Sequence, residues 1–307
     1  MTWVLWRQHR LTWGVVWAIV ASLAMLLVYV HQQADATAAA FLPSLLVTVP
    51  LLLPLLAGLF IGVPVLAQEF ERKTYHLSWT QGISRRRWYA LEAAAVVGVL
   101  LVAAAALSLV MGWSYSKEIL AKEPSGGAFV FPYFDVIGVA PVAYSVFAVA
   151  LGICLGALCK RTLVAMLLCF VVFVGLRATV ELGLRPYLQP PVVSVAHITS
   201  SVPPGATSGA WKFYVGTRLP DGTYADQFPF LYGEQACPQL AKKSGIDQGG
   251  MGDPALWRCL DRAGYRWVVQ WQPANRWWTF QIIEGAIYVG LAVILLLATF
   301  LGIGRRA

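Results

Sequence analysis

The sequence predicts an all-α polytopic membrane protein. It has six transmembrane helices, an interfacial helix at the N-terminus, and a small α+β extracytoplasmic domain between the fifth and sixth spans. Two observations carry this. Of 307 residues, 58% are hydrophobic and only 12% are charged, about half the charged share of a soluble domain. Six segments also approach the roughly 20 apolar residues that a bilayer core demands. The net charge of +8 does not indicate nucleic acid, because the positive residues sit in short loops beside apolar runs, as membrane topology requires.

The first apolar run is 11–30. It ends in "YVHQQADATAAA", which carries an A-x-A pattern, but the run is too long for a signal peptide and reads as a span. Before it, "TWVLWRQHR" puts Trp3 and Trp6 on one helical side, followed by Arg7 and Arg10. That suits a helix lying along the inner leaflet; the alternative is a plain extension of the first span. The second run, 41–67, carries Pro50, Pro54 and Pro64, which predict kinks whose freed carbonyls neighbouring helices can satisfy. The third to sixth runs are 91–113, 136–158, 162–183 and 281–303. Gly152 and Gly156 form a G-x-x-x-G in the fourth, a pattern that allows close helix approach and also arises by chance in Gly/Ala-rich spans.

Lys and Arg in the short loops set the orientation. One side holds Arg7, Arg10, Arg72, Lys73, Arg85, Arg86, Arg87, Lys160, Arg161, Arg305 and Arg306; the other holds Lys117 and Lys122. Both termini and the loop 68–92 are therefore expected in the cytoplasm. The chain divides into 1–183 (five spans with that loop), 184–280 (the outer domain) and 281–307 (the last span and tail).

Within 184–280, "WKFYVGTRLPDGTYADQF" reads as a hairpin about a Pro-Asp-Gly turn. "DPALWRCLDRAG" reads as a short helix, with Asp253 as N-cap, Pro254 in the first turn and Gly264 as the stop. "YRWVVQW" reads as a strand, and "WQPANRWWTFQ" leads back to the membrane with interfacial tryptophans. Cys237 and Cys259 are the domain's two cysteines, and an oxidising compartment favours a disulfide between them. Cys154, Cys159 and Cys169 fall in spans and read as small apolar filler.

No phosphate-cradling G-x-x-x-x-G-K-[ST], no H-E-x-x-H and no G-x-S-x-G occurs. No cofactor or metal site is expected in this chain. Arg177 and Glu181 stand four apart on one face of the fifth span. They are an interfacial ion pair or, with Glu284, a polar patch on a substrate path.

Charge is densest in "QEFERKTYHLSWTQGISRRRWYALE", residues 68–92. Six spans, the "MTWVLWRQHR" start and this loop together resemble an ABC-2 type transporter permease. The family's motif falls on Glu69, Glu71, Arg72, Lys73, Thr74, Leu77, Ser84, Arg85 and Trp88; Lys73 stands where the family has glycine. "YRWVVQWQPANRWWTFQIIEGAIY" looks like actinobacterial members. The resemblance implies a bacterial cell membrane and an ATPase-coupling helix at Glu69, Glu71, Arg72, Lys73, Thr74, Tyr75 and Leu77. It also implies a separate ABC ATPase in two copies, with ATP and Mg bound there. A second permease chain completes the complex as a homodimer or heterodimer. The implied function is outward export of a hydrophobic or amphipathic compound such as a drug, peptide antibiotic or lipid. Residues 69–77 mix aromatic, aliphatic and charged side chains, which suits a helix half-buried in a partner; Arg85–Arg87 could equally meet anionic lipid. The rival reading is a non-transporting membrane sensor or assembly factor whose outer domain binds a ligand. An intramembrane enzyme is disfavoured, because no nucleophile–base cluster stands within the spans.

Overall fold

The computed structural model describes residues 2–32, 41–72, 85–116, 127–129, 131–199, 209–226, 228–244 and 254–305. The chain forms two compact units. One comprises Met1–Glu118, Phe131–Arg185 and Trp278–Ala307; the other comprises Ile119–Val130 and Pro186–Trp277.

Six helices are long and apolar enough to cross a membrane, all in the first unit's segments or beginning at its edge. Helix α1 (Thr2–Gln32) is unbroken. The N-terminal stretch is thus not a separate interfacial helix. Trp6 and Trp13 are joined without Gly or Pro, so nothing interrupts the backbone ladder. Its 31 residues reach about 46 Å at 1.5 Å per residue, well beyond a core of about 30 Å, which leaves the first turns beyond the span His9–Gln32. His9 meets Glu92 and His31 meets the Ser114 carbonyl, so α1 is tied to the third span near both ends.

The second span is built from α2 (Phe41–Ala57), a π turn (Gly58–Gly62) and α3 (Val63–Arg72). Pro50 and Pro54 lie inside α2 without ending it. The third span is α4 (Arg85–Ser114). A short helix α5 (Tyr133–Val136) then precedes α6 (Ala140–Cys159). The fourth span therefore starts at Ala140 rather than at 136. Gly138, at φ 91°, makes the turn between α5 and α6, a conformation that glycine adopts at little cost. Helix α7 (Thr162–Thr179) continues as a π turn (Val180–Leu184) and a 3-10 turn (Arg185–Tyr187).

α6 is the hub. It packs on α2, the π turn, α3, α4 and α7, and 72% of its span is buried, against 44% or less for every other span. Gly152 and Gly156 make this possible. A Cβ on Gly152 would lie 2.4 Å from the Gly58 carbonyl oxygen, and one on Gly156 would lie 2.6 Å from the Val63 carbonyl oxygen. Gly58 and Gly62 face back, each with a hypothetical Cβ 2.7 Å from a carbonyl of α6. Beside this crossing lies a core of Leu66, Tyr89, Val96, Val149 and Ile153.

The second unit is α+β. Strands β1 (Val192–Ala196), β2 (Trp211–Arg218), β3 (Tyr224–Ala225) and β4 (Arg266–Gln272) form an antiparallel sheet in the order β1-β4-β2-β3. The β2–β3 hairpin closes through Leu219 and Thr223, with Asp221 accepting from the Thr223 N–H and hydroxyl. Helices α8 (Gly233–Ala236), α9 (Pro238–Ser244) and α10 (Pro254–Arg262) complete it. Gly264, at φ 90°, ends α10 as expected; Asp253, the expected N-cap, lies outside the described residues. Trp257, Leu256, Leu260, Trp267 and Ile198 make the core. Helix α11 (Trp277–Arg305) contains the sixth span.

Cys237 and Cys259 are disulfide-bonded. The bond ties α10 to the turn before α9 across 22 residues, a loop whose closure is worth about 3 kcal/mol. Changing both cysteines to serine is expected to lower the unit's stability by about that amount. Protease resistance of the outer domain, compared with and without reductant, measures it.

Asp261 at the end of α10 accepts from the Ile198 N–H, His197 and Arg266. Burial opposes its ionisation, but these donors outweigh it and hold the carboxyl below the usual range. A lowered folded pKa gives stability that is complete above the ordinary aspartate value of about 3.9. It is lost as pH falls through the lowered value. The stability of this unit should therefore fall more steeply with falling pH in wild type than in a chain with no such titration; Asp261→Asn should flatten the slope in this range while lowering stability at pH 7. An unchanged slope in circular dichroism would refute the assignment.

Candidate functional site

Apart from Glu92, which meets His9, the buried charged side chains among the described residues gather in one place. Asp135 sits on the one-turn helix α5, Arg177 in the last turn of α7, Arg185 just after the π turn, and Glu284 on the second turn of α11. Asp135, Arg185 and Glu284 are at most 3% exposed. Arg185 donates through Nη2 to Asp135 Oδ1 at 2.5 Å and through Nε to Glu284 Oε2 at 2.8 Å. Arg177 donates to Asp135 Oδ1 at 2.8 Å and to Glu284 Oε1 at 3.2 Å. Each cation thus bridges both carboxylates.

Tyr144 on α6 is the floor of the cluster. Its hydroxyl donates to Glu284 Oε1 at 2.6 Å, and its ring lies 3.8 Å beneath the Arg177 guanidinium. The Arg185 guanidinium stands over Phe134 at 4.3 Å. Such stacking suits the weakly hydrated, planar arginine head. Gln281 holds the frame: its amide N–H donates to the Phe134 carbonyl, and its oxygen accepts from the Ala140 N–H, both at 2.8 Å. One side chain of α11 therefore fixes α5 against the start of α6. Burial works against ionised Asp135, but Arg185 and Arg177 hold its carboxyl below the usual range.

Three sequence candidates meet here, in unequal roles. Arg177 and Glu284 are central. Glu181, the expected partner of Arg177, is 3.7 Å from it and half-buried at the margin. Asp135 and Arg185 are the partners that sequence reading missed. The π turn explains Arg185: a wider turn at Val180–Leu184 resets the helix face, a device frequent at functional sites.

The coupling candidates lie elsewhere. Glu69, Glu71 and Arg72 form the end of α3, and Glu71 Oε2 accepts from the Thr162 hydroxyl at 2.6 Å, linking the end of the second span to the start of the fifth. Lys73, Thr74, Tyr75 and Leu77 lie outside the described residues.

A cleft of ≈ 560 Å³ opens between the first, second and third spans. Its walls are Leu, Val, Ile, Ala, Pro and Phe, and Thr12, Ser108 and Ser145 are its polar residues. Ser108 and Ser145 spend their hydroxyls on the carbonyls of Gly138 and Pro141, so the cleft offers little hydrogen bonding to an occupant.

No curated protein and no solved structure matches the chain. The family model described as ABC-2 membrane transporter related matches residues 28–185. That stretch runs from the end of the first span through the fourth and fifth, and takes in the glycine crossing and both arginines of the ion cluster. On this match over half its length, the chain belongs to the ABC-2 membrane transporter related family.

Proposed function

We propose that this multi-pass protein is the transmembrane subunit of an ATP-driven exporter that moves a hydrophobic or amphipathic compound outward. The family match carries the reading: an ABC-2 permease works with a separate ABC ATPase, which binds ATP and Mg. Two ATPases and a second permease chain complete the assembly. Both termini and residues 73–84 face the cytoplasm, and the second unit faces out. The aliphatic cleft supports an apolar cargo, since a site with few donors or acceptors to offer selects against polar ligands. The ion cluster stands at the outer end of the path, where Arg177, Glu181 and Glu284 form the closing element of the exit.

In this reading Glu69–Leu77 docks the ATPase. Glu71→Lys and Leu77→Asp are each expected to abolish stimulation of the partner's ATP hydrolysis, with the permease still in the membrane. Glu71→Lys also breaks the contact to Thr162, so Leu77→Asp is the cleaner probe. Unaltered copurification and full ATPase stimulation in both variants would remove the assignment.

A further inference from the structure

The second unit presents two sheet edges of very different character. The β3 edge is two residues long and flanked by Asp221 and Asp226. Short strands and charges are how proteins protect a free edge from pairing. The β1 edge has neither. Val192–Ala196 is five residues long with no charge, proline or bulge within it, although Pro190 and Pro191 bound the edge just before Val192. It pairs with β4 on one side, and among the described residues nothing hydrogen-bonds its other side. Val193 and Val195 point to one face and are 50% and 44% exposed. Ser194 points to the other face, where it accepts from the Trp271 indole at 2.9 Å.

The strand's sequence also says what fits it. Read from Ser194 outward, the chain is valine on either side. If a second β1 is laid antiparallel about Ser194, each Val193 falls opposite the partner's Val195, on one face. Cross-strand β-branched pairs of this kind stabilise a sheet. Such a pairing is its own twofold mate, as an isologous contact must be, and the absence of charge leaves no like-charge pair to oppose it. A β1 edge meeting a different protein would need no such symmetry.

We propose that β1 is a contact between two copies of this chain, joining the two outer units into one eight-stranded sheet through antiparallel β1–β1 pairing centred on Ser194. The proposal rests on the permease reading for its need of a second chain, and it makes that second chain an identical one. It gives the outer unit a task independent of cargo, which is to hold the two permease copies in register outside the bilayer.

Single-cysteine variants of the full-length chain, cross-linked in native membranes with a short bismaleimide, test this. Ser194→Cys should shift from the monomer to the dimer position on a denaturing gel. Two differently tagged chains carrying Val193→Cys and Val195→Cys should cross-link when coexpressed. Tyr224→Cys on the β3 edge should stay monomeric, and Val195→Lys added to Ser194→Cys should abolish the dimer band. Absence of a Ser194→Cys dimer together with absence of the Val193–Val195 cross-link overturns the proposal, as does equal cross-linking at Tyr224. A purified complex with ATPase stimulation, but with one copy of this chain beside a different permease, overturns the β1 pairing and leaves the exporter reading standing. Cross-links without any ATPase partner do the reverse.

Discussion

Gly152→Leu is expected to prevent folding of the membrane unit, and even Gly152→Ala to destabilise it severely. A Cβ at Gly152 would lie 2.4 Å from the Gly58 carbonyl oxygen and 2.8 Å from the Val63 nitrogen. Both are backbone atoms of the second span, so no side chain can swing aside. α6 and the π turn would have to separate, and the hub would lose its contacts with that span. Overpacking a tight core costs about 1–3 kcal/mol; a forced separation of two helices belongs at or above the top of that range. Gly175→Ala and Gly290→Ala are the controls, because nothing stands within 4 Å of a Cβ at either site. Gel filtration and thermal melting in detergent read the result. A Gly152→Leu protein that elutes and melts like wild type would show that the crossing is not required.

Glu284→Leu carries the second large effect. It removes the acceptor of Arg185 Nε, Arg177 Nη1 and the Tyr144 hydroxyl together, leaving two cations to share Asp135. Removing one partner of a buried ion pair costs about 3–5 kcal/mol, because the other charge stays behind in a poor solvent. The double change Arg185→Leu with Glu284→Leu removes one charge of each sign and should recover part of that loss. Tyr144→Phe should cost less, since it deletes one donor and leaves the ring under Arg177. Melting temperatures of the three variants decide: a Glu284→Leu protein no less stable than the double variant would mean that the cluster does not join these helices.

The six spans were legible because length and apolarity suffice for that inference, and so was the hairpin about Asp221 and Gly222. The helix crossing was half-legible. Gly152 and Gly156 drew notice, while Gly58 and Gly62 repeat the same spacing in the second span and supply the other half. The π turn around them has no sequence signature of its own. The ion cluster was legible only at Arg177 and Glu284. Asp135 fell one residue before the span boundary read from apolarity, and Arg185 fell one residue past the start of the supposed outer domain. Both therefore looked like solvated end charges. Burial is a tertiary property, and nothing local to either residue reports a partner 50 residues away. The separate interfacial helix was misread for the converse reason: amphipathic spacing marks where a helix prefers to lie, not where it ends.

The order in which the cluster's members are made has a consequence for synthesis. α6 and α7 are joined by only Lys160 and Arg161, so the fourth and fifth spans enter the bilayer as one hairpin. Arg177 and Arg185 enter with it. Glu284 lies 99 residues after Arg185, which at about 5–20 residues per second is a wait on the order of 5–20 s. Asp135, 50 residues before Arg185, is already present. During that interval Glu181 stands at the margin against Arg177 alone, and Asp135 is the acid that touches both guanidiniums. Asp135 should thus matter more to a nascent chain than its symmetric place in the finished cluster suggests. Replacing it with asparagine should lower the yield of inserted protein more than it lowers the melting temperature of the molecules that survive.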